Sequence, residues 1–180
     1  MPKRSGLEKK QYHQLYRKLA FSDPKSKWFC FYCNEPMDGY DHQPPISQIG
    51  YMLISDEPFE AVLVPACAEC NSVLSDQQTL TLSERMNELK DALRKRYRTH
   101  MRVAGKWTHE EIQELGYSLQ EKVLASARIG CVAEYRILYP GHDIKEMDEK
   151  IEPDNVKMCK RCDTAYIEDA CPACGSEKQY

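Results

Sequence analysis

Eight of the nine cysteines in this chain fall into four Cys-x-x-Cys pairs: Cys30 and Cys33, Cys67 and Cys70, Cys159 and Cys162, Cys171 and Cys174. No other feature restricts the fold so strongly. Two such pairs make a tetrahedral thiolate site for zinc, whereas a disulfide framework needs an oxidising compartment and gives no reason for this spacing. The chain is therefore expected to hold two structural zinc ions, one on Cys30, Cys33, Cys67 and Cys70, the other on Cys159, Cys162, Cys171 and Cys174. Cys131 is left over, in a stretch with Ile129 and Val132 that reads as helix, and is expected to be a small buried hydrophobe. The opening residues lack the apolar stretch of a secretory signal, and no apolar run approaches the roughly 18 residues of a membrane span. A reducing, cytoplasmic setting without a membrane partner is the expectation.

The formal charge of −3 argues weakly against a nucleic-acid binder, but its distribution is uneven. Residues 1–28 carry eight Lys/Arg and two acids, and Ala92 to Trp107 carries six Lys/Arg and no acid. From Pro140 to Tyr180 the balance reverses, with ten acids against six bases.

The hydrophobic pattern predicts a mixed α+β fold. Residues 1–27 read as a basic N-terminal segment with a helix from Leu7 to Ala20, stopped at Ser22-Asp23-Pro24. Residues 28–78 contain the first cysteine quartet, an aromatic, strand-like run from Lys27 to Tyr32, and a short apolar strand from Ala61 to Val64. A short helix is expected from about Cys70. Residues 79–140 read as helical. Ser83 is a candidate cap for a helix with a buried stripe of Leu82, Met86, Leu89, Leu93 and Tyr97, and capping boxes stand at Thr108–Glu111 and Ser118–Glu121. Residues 141–180 comprise an acidic linker or mobile helix and the second quartet as a compact unit of its own.

The first quartet encloses Asp41-His42, and Asn71 directly follows its last ligand. Histidine titrates near neutral pH and suits a base for water, and Asp and Asn offer the oxygen ligands that magnesium prefers. Neighbours on a regular strand face opposite ways, so both can reach one site only if Pro44-Pro45 turns the chain out of extended geometry. In Cys30-Phe-Tyr-Cys33, Asp41-His42 and Pro65-Ala-Cys67-Ala-Glu-Cys70-Asn71, residues 28–76 resemble the HNH, or ββα-metal, nucleases, including the phage endonuclease VII type. The resemblance implies a zinc-stapled ββα-metal core with flanking helices. It further implies magnesium (or manganese) on Asp41 and Asn71, His42 as the activator of water, and cleavage of duplex or branched DNA to 5′-phosphate and 3′-hydroxyl ends. Val62 stands where many members have asparagine, and Leu74 where the endonuclease VII type has glutamate. A homodimer would suit a two-strand cutter.

Arg94, Lys95, Arg98, Arg102 and Lys106 are candidate phosphate contacts, with Tyr97 and Trp107 placed for stacking. A solvated helix end explains the same residues equally well. His13, His100, His109 and His142 are expected on the surface. The tail quartet, ending Cys174-Gly175, looks like a zinc ribbon whose acidic surroundings favour a protein contact or a structural role. Set against the nuclease is a non-catalytic zinc module that recognises nucleic acid or a protein partner.

Overall fold

The computed structural model describes residues 10–75, 77–145 and 150–176. At its centre is a three-stranded sheet in the order β1 (Arg17–Lys18), β3 (Val62–Ala66), β2 (Gly39–Gln43), with β1 parallel and β2 antiparallel to β3. All five residues of β3 are buried, as a central strand covered on both faces requires. Helix α1 (Ile49–Ile54) lies in the β2–β3 connection, and α2 (Ala68–Leu74) follows β3 directly. A helical layer comes next: α3 (Leu82–Ala104), α4 (His109–Gln113) and α5 (Tyr117–Leu138). The chain closes on the two-stranded ladder of β4 (Lys157–Met158) and β5 (Ala165–Tyr166). The architecture is α+β, and no helix among the described residues is long and apolar enough to cross a membrane.

Two apolar clusters flank the sheet. One gathers Val62, Val64, Leu74, Leu89, Leu93 and Ile137 around the first cysteine quartet. The other joins Leu15, Ile49, Phe59, Leu63, Ile151 and Ala165. Helices α3 and α5 pack closely at Gly130, where an added Cβ would collide with the His100 carbonyl. Only a residue without a side chain allows that approach.

Several sequence expectations change here. Of the helix expected to run to Ala20, the described residues 10–12 are helical, but the helix ends there in a 3-10 turn at His13–Leu15 and strand β1; Leu7 lies outside the described residues. The backbone N–H groups of Arg17 and Leu19 bond to the carbonyls of Ala61 and Leu63, so sheet pairing overrides local helix preference. The Lys27–Tyr32 run is not a strand: Pro24–Trp28 form a 3-10 turn capped by Asp23, and the first zinc knuckle begins at Cys30. Thr81, not Ser83, caps α3, through a capping box with Glu84. The Thr108–Glu111 box forms, whereas α5 starts after Gly116 and Ser118 caps nothing. The acidic stretch falls partly outside the described residues; within them Ile151 is buried and exchanges two backbone hydrogen bonds with Phe59, which ties that end to the body. The tail unit is likewise docked, with Ala165 fully buried in the cluster around Leu15. Cys131 is exposed on α5, not buried.

Candidate functional site

The two cysteine quartets each bring four sulfurs within 4.8 Å of one another. Zinc–sulfur bonds of about 2.3 Å in a tetrahedron place sulfurs about 3.8 Å apart. The Cys33–Cys67 separation of 3.7 Å and the Cys159–Cys174 and Cys162–Cys171 separations of 3.6 Å match that edge. Both donor sets fit zinc. In three of the four pairs the residue after the second cysteine is left-handed: Asn34 (φ 62°), Asp163 (φ 54°) and Gly175 (φ 69°). Asn, Asp and Gly are the residue types that adopt this conformation most readily. The fourth pair differs because Cys67 is the N-cap of α2 and its sulfur accepts the Cys70 N–H at 3.5 Å.

The first quartet pins the hairpin of β2 and β3 to α2. Asp38, just before β2, accepts the Ala68 N–H at 2.8 Å and so fastens the helix start to the hairpin. Beside the sulfurs lies Arg136 of α5. Its Nη2 stands 3.7 Å from Cys70 Sγ and 3.9 Å from Cys67 Sγ, and its Nη1 donates to Glu69 at 2.6 Å. A zinc ion with four thiolates carries two net negative charges, and this buried guanidinium offsets part of them. Partial burial alone would raise the Glu69 carboxyl, but Tyr97, Arg136 and Arg96 together hold it below its usual range.

Asp41 and His42 sit within β2 in regular register, opposite Val64 and Leu63, and so point to opposite faces of the sheet. Pro44 arrives too late to bend the strand between them. Asp41 is 3% exposed. One carboxylate oxygen accepts from Arg85 Nε and the Tyr32 hydroxyl, and the other from Arg85 Nη2, each at 2.6 Å. Arg85 also donates to the carbonyls of Leu74 and Gln77, both at 3.0 Å. Burial works against the Arg85 cation, yet Asp41 more than offsets it. Burial, and then the Asp41 charge, push the Tyr32 phenol well above its ordinary range, so it stays a donor.

His42 is half-buried on the other face. Its Nε2 lies 3.2 Å from His13 Nδ1, and the Tyr16 ring meets it edge-on with centroids 4.8 Å apart. The Tyr16 hydroxyl donates to the Pro44 carbonyl at 2.7 Å. Asn71, in α2, donates its amide to the Tyr40 carbonyl at 3.4 Å.

No family model, curated protein or solved structure matches this chain. The site therefore rests on its own geometry. That geometry does not fit magnesium or manganese on Asp41 and Asn71. A hard cation needs several oxygen ligands, and among the described residues the only gatherings of three or more His, Cys, Asp or Glu fit to share an ion are the cysteine quartets. Asp41 is instead the anion of a buried ion pair, and Asn71 ties α2 to β2.

The basic run also separates. Arg94 pairs with Asp91 and Arg96 with Glu69, both at 2.7 Å. Lys95, Arg98 and Arg102 are exposed. At about 100° per residue they fall within roughly 60° of one another, on the side of α3 opposite Met86, Leu89 and Leu93. Lys106 lies beyond the helix end.

Sequence reasoning missed Arg85, Tyr32, His13, Tyr16 and Arg136. For Arg85 a signal was present: it stands on the apolar stripe with Leu82, Met86 and Leu89, and a charge there must meet a counter-charge. His13 carries no such signal, because only the parallel pairing of β1 brings it to His42.

Proposed function

We propose that this chain cleaves nucleic-acid phosphodiesters as an endonuclease with the zinc-stapled hairpin-and-helix arrangement of the HNH nucleases, without their metal ligands on Asp41 and Asn71, and with His42 activating water. The observation that supports this reading best is one arrangement. An antiparallel hairpin runs directly into a helix, a cysteine quartet pins the two together, His42 lies on the outer strand, and Asn71 is tied to that same strand.

In-line displacement at phosphorus needs the attacking water and the leaving oxygen on opposite sides. A phosphate lying along β2 meets His42 from one face only. A neutral imidazole that takes a proton from water becomes a cation, and His13 at 3.2 Å can share that proton. The Asp41–Arg85 pair holds β2 against α3 and so fixes the residue next to it, His42. Cys30, Cys33, Cys67 and Cys70 would hold a zinc ion with all four positions filled by thiolate, so it would supply shape rather than Lewis acidity. Supercoiled plasmid and branched DNA, incubated with zinc-loaded protein in buffers with and without magnesium, are expected to be cut. Failure to cut any nucleic acid would remove the enzymatic reading.

The closed cage around Asp41 favours a second reading, a module that binds nucleic acid without cutting it. Both readings use the row on α3. Reversing Lys95, Arg98 and Arg102 to Glu is expected to weaken duplex binding about a hundredfold near physiological salt. It should also lower the magnitude of the salt slope by about 2.7. Unchanged affinity and slope, measured by fluorescence anisotropy, would show that this row meets solvent alone.

A further inference from the structure

Gln43 ends β2, one residue beyond His42, and is 3% exposed. Both atoms of its carboxamide, Nε2 and Oε1, are buried and make no hydrogen bond. A buried polar side chain with neither bond made is rare and costly. Gln43 lines a cavity of about 370 Å³ together with Met52, Phe59, Glu60, Val62, Thr81 and Lys150. The volume lies in the range of small-molecule sites, roughly 300–1,000 Å³. Thr81, the N-cap of α3, lines it too, with its N–H already donated to the Glu84 carboxylate.

We infer that this cavity receives a nucleobase, whose paired donor and acceptor edge completes the two unmade hydrogen bonds of Gln43. A carboxamide presents one donor and one acceptor side by side, the complement of the edges that bases carry. Phe59 and Met52 give apolar surface to a flat ring, and Lys150 offers a cation to a phosphate attached to it. The choice of a base over other amide-bearing ligands rests on the nucleic-acid reading above. Occupation of the cavity does not require cleavage.

The test is titration of the zinc-loaded full chain with each of the four nucleosides and with the corresponding dinucleotides. NMR follows the Gln43 side-chain amide and the backbone amides of Phe59 and Lys150. At least one nucleoside is expected to shift Gln43 and Phe59 saturably, and Gln43→Met to weaken that binding about tenfold or more. Since Met has similar length and nothing to leave unpaired, the same substitution should hold or raise the thermal midpoint. A dinucleotide that binds tighter and also shifts Lys150 assigns the cavity to a base within a strand; equal affinity assigns it to a free nucleoside. The inference is overturned if no nucleoside or dinucleotide shifts Gln43, or if Gln43→Met binds equally well. It is also overturned if that variant loses several degrees of thermal midpoint, because the amide then serves the fold through buried water.

Discussion

Cys67→Ser is expected to lose the first zinc ion and, with it, cooperative folding of the whole chain. Cys30, Cys33 and Cys70 are fully buried, and the quartet is part of the same cluster as Val64, Leu74, Leu89 and Ile137. Without the metal, three thiols and a hydroxyl would face one another in an apolar core, and the knuckle at residues 30–33 would lose its tie to β3 and α2. Structural zinc supplies about 10–16 kcal/mol in small domains, and whole domains are stable by only about 5–15 kcal/mol. The zinc term therefore decides the outcome. Arg136 extends the loss to α5, since its guanidinium is held by the sulfurs and Glu69. Native mass spectrometry should count two zinc ions in the parent and no more than one in the variant, whose circular dichroism should show no cooperative melt. An unchanged melting temperature would contradict the scaffold role of this site. Cys171→Ser should be milder, because the second quartet clusters only with Tyr166 and its own cysteines.

Arg85→Leu has the next largest expected effect, a loss of about 3–5 kcal/mol. The substitution leaves the Asp41 carboxylate 3% exposed, with only the Tyr32 hydroxyl to answer its charge. It also frees the carbonyls of Leu74 and Gln77, which end α2 and lead towards α3. In a domain of this size each kcal/mol lowers the midpoint by about 2–4 °C, so a fall of roughly 10 °C is expected. Asp41→Asn combined with Arg85→Leu should recover much of it, because removing both charges avoids a lone buried ion. Urea denaturation of the two single variants and the double variant measures the coupling directly. A loss under about 1 kcal/mol for Arg85→Leu would mean that water reaches Asp41.

What the sequence disclosed and what it hid follow from how local each signal is. Cysteine spacing is local, so both zinc quartets are legible, and Asn34 and Asp163 mark their knuckles as clearly as Gly175 does. The Thr108–Glu111 box and the stripe through α3 are equally local. Strand β1 has two residues and so no period to detect, and only its pairing with β3 places it. Missing β1 meant missing His13, which reaches His42 through that pairing. Pro44-Pro45 was expected to turn Asp41 and His42 to one side. The ladder holds them in alternation because Gln43 still pairs with Val62. Cys131 sits on the outer side of α5, where Leu124, Tyr135 and Leu138 are exposed as well, so residue type alone misplaced it.

His42 carries the proposed chemistry, and the most direct measurement is DNA cleavage by a His42→Ala protein that still carries both zinc ions. The imidazole is half-buried and belongs to neither cysteine quartet, so the variant should fold, hold two zinc ions and bind DNA like the parent. Loss of a general base costs about 10²–10⁴-fold, and single-turnover cleavage is predicted to fall by at least about a hundredfold. Cleavage at the parent rate would contradict the assignment of His42 and return the chain to the non-catalytic reading.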